Sequence, residues 1–246
     1  MPKILFYKMT YDGGFAPNPF WGYLTLAACT PNHQRADLKK GDWLVGVESK
    51  SLSQQREKVG LKKNIKRALI YIACVDEVMD LTSYFFDKRF ADKRYRRDKD
   101  WRKRRGDNVY YLDKKIWKWT RGHNHEPEGL KSSPNSEVFF PETRFAFLWR
   151  HQKARYGVIL QDIRGNRVFI SKKFSYFGDK CIEAPREFHP YIPDRGIKYC
   201  KKNDPNFDVL LNKIEELLNK YNGLVGEPIN HRIKKIKNRG CATTKL

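Results

Sequence analysis

The sequence of 246 residues lacks the features by which several common classes of protein are recognised. No apolar run approaches the roughly 18 residues of a membrane helix, and the apolar start of the chain is too short for a signal peptide. The five cysteines are widely spaced and odd in number, which argues against a disulfide scaffold. These absences predict a soluble, cytoplasmic protein with no membrane partner.

Motifs that identify an enzyme are also absent. The sequence has no Walker loop, no glycine-rich dinucleotide fingerprint, no H-E-x-x-H and no G-x-S-x-G. No residue is therefore identified as a nucleophile, and the catalytic residues, if there are any, stay unknown. A binding module is the preferred interpretation, and an enzyme remains the alternative.

Acidic residues are scarce relative to basic ones. There are 28 Asp and Glu against 50 Lys and Arg, and the formal net charge is +22 at pH 7. A field of this strength favours polyanions, of which nucleic acid is the commonest in a cell. Hydrophobic residues make up 40% of the chain and aromatic residues 14%, which is enough for a packed core. We expect a folded protein that binds nucleic acid.

The strongest compositional signal lies in residues 88–105. They hold eleven Lys or Arg, seven of them Arg, against three Asp. The pattern predicts a basic helical insertion over residues 81–106, for which the alternative is a merely solvated helix. Because a guanidinium binds phosphate in bidentate geometry, we predict a phosphate-binding face formed by Arg94, Arg96, Arg97, Arg102, Lys103, Arg104 and Arg105.

A proline-stiffened loop at residues 14–22 carries three aromatic side chains. Pro17 and Pro19 fix the backbone angle φ there. Aromatic faces beside amides or an imidazole can stack a base and read its edge. We predict a base pocket lined by Phe15, Asn18, Phe20, Trp21, Asn32, His33, Trp43, Ser49, Asp107, Asn108 and Tyr110. The alternatives are that Phe20 and Trp21 close the end of a barrel and that Asp107 and Asn108 cap a turn.

The remaining pattern predicts a single domain over residues 1–246. Strands dominate the first half, residues 156–161 and 167–171 are predicted to form a hairpin, and helical spacing of apolar residues predicts a helix from Phe207 to Tyr221. Residues 122–142 read as a loop insertion, and residues 230–246 read as a basic tail.

Two groups of residues could in principle bind a metal ion. They are His123 with His125, and Cys181 with His189 and Cys200. Neither group has zinc-finger spacing. We therefore predict no metal and no other cofactor, and the sequence leaves the oligomeric state open.

Several blocks of the sequence resemble one family. They are GFAPNPF (14–20), TLAACTP (25–31), GDWLVGVES (41–49), FDKRF (86–90), GDNVYY (106–111) and VFISKKFSYFG (168–178). Their order and spacing resemble the second nucleotide-modification-associated domain family, found in bacteria and phages. The resemblance spans nearly the whole chain, down to GEP (226–228). It implies an association with modified nucleotides in DNA, so that DNA is expected as the polymer in preference to RNA.

A second resemblance is to EVE domains and the wider PUA-like fold. It rests on Asn32 and His33, the Gly41-Asp42 turn, the strand that ends at Ser49 and the strand that starts at Arg67. EVE domains are small β-barrels that stack a modified or flipped base in an aromatic pocket. The resemblance implies an α+β fold built on a small bent barrel, with peripheral helices and a C-terminal helix.

Three hypotheses for function follow. The preferred one is a protein that recognises modified bases in DNA, or assists their formation, through an aromatic pocket beside an Arg-rich face. The alternative is an enzyme of base modification that uses Asp107, Asn108 or His33 as acid–base groups. The third is a phage or defence protein that binds a host protein.

Overall fold

The computed structural model describes residues 1–28, 36–61, 65, 67–120, 140–141 and 153–230, and only the backbone of residues 140–141 and 153–158. Asn32, His33, His123 and His125 lie outside the described residues, as do most of the predicted loop insertion and nearly all of the predicted basic tail.

The described residues contain thirteen strands and four α-helices. In chain order these are β1 (Lys3–Met9), β2 (Leu24–Leu26), β3 (Trp43–Glu48), α1 (Lys50–Lys58), β4 (Ala68–Cys74), β5 (Glu77–Met79), α2 (Leu81–Phe86), β6 (Tyr110–Asp113), β7 (Ile116–Trp119), β8 (Phe140–Pro141), α3 (Lys153–Arg164), β9 (Val168–Ser171), β10 (Phe174–Tyr176), β11 (Ile182–Glu183), β12 (Ile197–Lys201), α4 (Phe207–Lys220) and β13 (Gly223–Leu224). Short 3₁₀ turns lie at Lys88–Lys93, Lys103–Arg105, Gly178–Lys180 and Arg186–Tyr191. Among the helices described, none is long and apolar enough to cross a membrane.

The strands form one large sheet and two small ones. The large sheet has the order β12-β1-β3-β4-β10-β13, and β11 also pairs with β4. The pairs β1–β3 and β10–β13 are parallel, and the others in this sheet are antiparallel. The small sheets are β2-β9-β5 and β6-β7-β8. Strand β4 is apolar on both faces and fully buried from Ala68 to Ala73, as expected of a central strand.

The fold is a mixed α+β fold, but the predicted PUA-like barrel is not confirmed. Strands β12 and β13 stand at opposite ends of the large sheet and pair with different neighbours. A barrel needs its first and last strands to pair with each other. Over the described ranges, all three sheets therefore stay open.

Two hydrophobic clusters form the core. The first packs the large sheet against α4, whose buried residues Phe207, Leu210, Ile214, Leu217 and Leu218 follow helical spacing, as the sequence predicts. The second lies between α2, the β6–β7 hairpin and α3.

The predicted hairpin of residues 156–161 and 167–171 is wrong in its first half. Residues 153–164 form helix α3, in which Ile159, Leu160 and Ile163 are buried in the second cluster. A short run of apolar residues suits a strand and a buried helix equally well, and here the spacing of the buried positions fits the helix.

The basic stretch is not a continuous helix. Only Leu81–Phe86 is α-helical, and the chain from residue 94 to 102 is irregular. The Asp98 carboxylate accepts a hydrogen bond from the Asp100 N–H (3.0 Å), and the Asp100 carboxylate accepts one from the Arg102 N–H (2.9 Å). Such local bonds compete with helix formation, and like charges at helical spacing oppose it as well.

Candidate nucleotide-binding cleft

A cleft of about 410 Å³ opens where four segments distant in the sequence meet. Its volume lies in the range usual for small-molecule sites. The lining residues are Pro19, Phe20, Trp21, Gly22, Arg102, Lys172, Phe174, Asn222, Gly223 and Leu224. We call this site the aromatic–cationic cleft. It brings together the proline-stiffened loop, the basic stretch, the turn between β9 and β10, and β13.

Trp21 stands at the tip of a tight turn. The backbone groups of Asn18 and Thr25 exchange two hydrogen bonds of 2.9 Å and close the loop at its base. At the tip, Trp21 has φ of 56° and Gly22 has φ of 78°. A bulky residue in this left-handed region costs roughly 1–3 kcal/mol, and such strain is concentrated at functional sites. The surrounding structure therefore holds Trp21 in a position that the sequence alone would not favour.

Trp21 is the aromatic ring that a ligand in the cleft could cover. It is partly exposed, whereas Phe20 is only 2% exposed. The Phe20 ring packs edge-on against Trp21 and Trp101, with centroid distances of 5.5 and 5.4 Å. Phe20 thus packs into the wall of the cleft, and Trp21 presents its partly exposed ring to a ligand in the cleft.

Cationic groups lie close to the rings of Phe20, Trp21 and the neighbouring Tyr23. The Lys103 Nζ lies 4.6 Å from the Trp21 ring centroid, and the Arg102 Cζ lies 5.8 Å from that of Phe20. Across the cleft, the Lys172 Nζ lies 5.7 Å from the ring centroid of Tyr23. Cations at these distances interact favourably with aromatic faces. The cleft is therefore both aromatic and electropositive.

The predicted phosphate-binding residues divide into two groups. Arg94 donates two hydrogen bonds to the Phe85 carbonyl (3.1 and 2.6 Å), and Arg104 donates one to the Asp98 carbonyl (2.7 Å), so both stabilise the fold of the basic stretch. The remaining five differ in their exposure and in their partners. Arg96 and Arg97 are exposed, Arg105 is half-buried, Arg102 pairs with Glu227 at 2.6 Å, and Lys103 pairs with Asp92 at 2.5 Å.

Four of the predicted base-pocket residues do not line the cleft but lie buried. The Asp107 carboxylate accepts hydrogen bonds from Thr25 (2.7 Å) and Tyr84 (2.8 Å). The Asn108 amide donates to the Tyr84 and Phe90 carbonyls, and Tyr110 donates to Asp162 at 2.8 Å. The Asn18 amide donates to the Arg105 carbonyl at 3.0 Å and so ties the aromatic loop to the basic stretch.

The sequence did not point to Lys93, which lies among these groups. Lys93 is 1% exposed, and burial lowers its pKa to about 7, opposed by the charge of Asp107. Burial likewise raises the pKa of Asp107, and Lys93 opposes this shift. The hydrogen-bond partners of Lys93, which are Asn18 and Tyr23, lie 70 residues or more earlier in the chain, so no local pattern of the basic stretch pointed to it.

Three more predicted pocket residues lie elsewhere. Phe15 is buried in the second cluster, and Trp43 is buried in the first. Ser49 caps helix α1, where its Oγ accepts a hydrogen bond from the Leu52 N–H at 3.2 Å. None of the three lines the cleft.

The far wall of the cleft was missed by the sequence analysis. Lys172, Phe174 and residues 222–224 follow the aromatic loop by 150 residues or more. They arrive there because β10 pairs with both β4 and β13. Only the resemblance of residues 168–178 to the family gave a signal in this region.

Of the residues considered for metal binding, His123 and His125 lie outside the described residues, and Cys181, His189 and Cys200 are not grouped into a site. Cys181 and Cys200 are buried, and burial raises the pKa of each thiol to about 11, which opposes the thiolate that a metal requires. The His189 ring lies 3.1 Å from the Ala184 carbonyl. Among the residues described, no three His, Cys, Asp or Glu side chains are grouped to hold a metal ion.

In the described part of the chain, the open mixed sheets and the cleft define an α+β protein with an aromatic site lined by cations. The model of the family Nucleotide modification associated domain 2 matches residues 1–145, more than half of the chain, and the chain belongs to that family. Comparisons with curated proteins and with solved structures find no match, so the resemblance to EVE and PUA-like domains is not confirmed. The matched range contains Trp21 and Arg102 but ends before Lys172.

Proposed function

We propose that this protein binds DNA and receives one base, modified or to be modified, in the aromatic–cationic cleft. The observation that carries the proposal is that Trp21 lies in the same cleft as Arg102 and Lys172. A stacking surface between two cations suits a base with the phosphates that flank it. Membership of the nucleotide-modification-associated family supports the link to modified bases.

The base must be unpaired to reach the cleft. In a duplex each base is covered by its neighbours on both faces, and an aromatic side chain can stack only after the base is extruded. Trp21 lies at the tip of a tight turn, where Trp21 and Gly22 have φ values of 56° and 78°. We therefore expect single-stranded DNA, or a duplex with an unpaired nucleotide, to bind better than a fully paired duplex.

Charge contributes affinity without base selectivity. Arg96 and Arg97 are exposed in the basic stretch that contributes Arg102 to the cleft, and the whole chain carries a formal charge of +22. Contacts from such groups to phosphate weaken as salt rises, because they release condensed counterions. Base preference should therefore reside in the Trp21 wall, and salt dependence in the cations.

The experiment compares Trp21→Ala with Phe86→Ala, which removes an aromatic ring that is 58% exposed and does not line the cleft. Affinities are measured by fluorescence anisotropy for single strands, paired duplexes and duplexes with one unpaired base, each with and without base methylation. We expect W21A to lose roughly 5- to 150-fold in affinity for unpaired bases, the equivalent of 1–3 kcal/mol of stacking. F86A should bind as the wild type does. Equal binding by W21A and the wild type would refute the proposal.

The enzymatic alternative gains no support from the groups that the sequence suggested for it. Asp107 is fully buried and holds Thr25 and Tyr84, and the Asn108 amide holds two backbone carbonyls. His33 lies outside the described residues. A change in nucleoside mass on incubation with DNA and candidate cofactors would nevertheless establish that alternative, and capture of a protein from nuclease-treated lysate would favour the third hypothesis.

A further inference from the structure

We propose that Lys93 is a positioning residue that holds Trp21 in the cleft, so that base stacking depends on the Lys93 ammonium group. This inference rests on the proposed function, because it concerns how the same site is regulated. Lys93 does not line the cleft and would not touch the base. It acts from behind the turn that carries Trp21.

The hydrogen bonds of Lys93 bracket that turn. Its Nζ donates to the Asn18 carbonyl (3.0 Å), the Asn18 side-chain oxygen (2.8 Å) and the Tyr23 carbonyl (2.9 Å). Asn18 precedes Trp21 by three residues, and Tyr23 follows it by two. The Nζ itself lies 5.9 Å from the Trp21 ring centroid. One buried nitrogen therefore joins both ends of the turn beneath the ring.

The three bonds need the charged form of the lysine. An ammonium group has three N–H donors, whereas a neutral amine has two and a lone pair. With three acceptors at 2.8–3.0 Å, loss of the proton breaks one of the three bonds and removes the charge that strengthens the other two. The Asn18 carbonyl and side-chain oxygen also accept from the Thr25 and Phe20 N–H groups, so we expect deprotonation to loosen the Tyr23 end of the turn.

The surroundings place this proton loss close to neutral pH. Burial lowers the pKa of Lys93 to about 7, and the nearby Asp107 carboxylate limits the fall. Tyr84 donates a hydrogen bond to Asp107 and so stabilises the charged carboxylate, and the Lys103 ammonium lies over the Trp21 ring. Stacking on Trp21 should accordingly be strongest below about pH 7 and weaken as the pH rises.

Lys93→Met removes the ammonium, and Lys88→Met is the matched control because Lys88 is an exposed lysine five residues earlier in the same basic stretch. The first readout needs no nucleic acid. It is acrylamide quenching of Trp21, taken as the difference between each protein and its Trp21→Phe counterpart. We expect the wild type and K88M to show greater quenching at about pH 8.5 than at about pH 6, and K93M to show high quenching at both. The wild-type measurement keeps the test valid even if K93M folds poorly.

The second readout is affinity for an oligonucleotide with one unpaired base. K93M should lose about tenfold at pH 6, as expected for a lost hydrogen bond to a charged group. If Lys93 acts through Trp21, the double variant K93M/W21A should bind no more weakly than W21A. Additive losses, or Trp21 quenching that is the same in K93M and wild type at both pH values, would overturn the inference. The quenching result stands apart from the proposed function, which fails only if W21A binds as the wild type does.

Discussion

Asp12 links the two ends of the described chain, and its protonation should be visible in the stability of the protein. Its backbone N–H donates to the Asn230 side-chain oxygen (2.6 Å), and its backbone carbonyl accepts from the Asn230 N–H (2.9 Å). Its carboxylate accepts hydrogen bonds from Tyr176 and, at 3.4 Å, from the Ile229 N–H. Asp12 is only 1% exposed, and this burial raises its pKa from 3.8 to about 7.

The sign of the effect follows from linkage. The folded state holds the Asp12 proton more tightly than the unfolded chain does, so the stability that Asp12 contributes is fully present below about pH 3.8 and is lost as the pH rises to about 7. At 1.36 kcal/mol per pKa unit, the loss is about 4 kcal/mol. Asp12→Asn keeps an oxygen that can accept from Tyr176 but carries no proton to lose. Relative to the wild type, D12N should gain up to about 4 kcal/mol in unfolding free energy between pH 4 and 7 and show no further change above that.

Urea unfolding followed by circular dichroism, repeated between about pH 4 and 8, measures this difference. Asp204→Asn is a control of opposite sign, because hydrogen bonds from Tyr191 and the Asn206 N–H lower the pKa of the half-buried Asp204. The stability that Asp204 contributes is present above the ordinary Asp pKa and lost as the pH falls. Because that loss lies below the range measured, D204N should differ from the wild type by a nearly constant amount between about pH 4 and 8. Parallel curves for wild type and D12N over the whole range would refute the reasoning.

Three further variants test the packing and the cleft. Glu48→Ala leaves the buried Arg56 without the carboxylate that it contacts at 2.7 Å, so the urea-derived unfolding free energy should fall by about 3–5 kcal/mol, and an unchanged midpoint would contradict this. Gly46→Ala places a methyl group 2.5 Å from the Tyr71 ring and should cost about 1–3 kcal/mol, measured the same way; a neutral effect would show that the ring moves freely. Arg102→Ala should weaken binding equally for all bases and lower the slope of log affinity against log salt by about 1. The control Lys58→Ala, at an exposed site on α1, should leave the affinity and the slope unchanged. A base-dependent loss in R102A would assign Arg102 to base recognition instead.

The elements with a strong periodic pattern could be predicted from the sequence. The strand that the sequence places after Arg67 is β4, and the helix predicted from Phe207 to Tyr221 is α4. The hairpin at residues 156–161 failed because short apolar runs do not distinguish strand from helix. The barrel is not confirmed, since closure depends on which strand edges meet, and no local pattern specifies that.

The near wall of the site could be predicted for similar reasons. Two prolines and three aromatic residues in nine positions are unusual in a surface loop, and Trp21 does line the cleft, as does Arg102 from the basic stretch. Composition could not show which charged residues would turn inward. Lys93 is buried beneath the turn and Arg94 holds the Phe85 carbonyl, although both belong to the same run of cations as the exposed Arg97.

The cleft depends on both halves of the chain, although the family model matches only residues 1–145. Arg102 at its rim pairs with Glu227, and an added Cβ at Gly14 would lie 2.9 Å from the Pro228 side chain, so the aromatic loop and the segment after β13 are in tight contact. The large sheet has the same dependence, since β1, β3 and β4 come from the matched half while β10, β12 and α4 come from the other. Removing the second half would leave the outer edges of β1 and β4 unpaired and remove Lys172 and Phe174 from the cleft. Because both halves contribute to the walls, the proposed base selectivity is expected to change with substitutions in the second half that leave the aromatic loop intact.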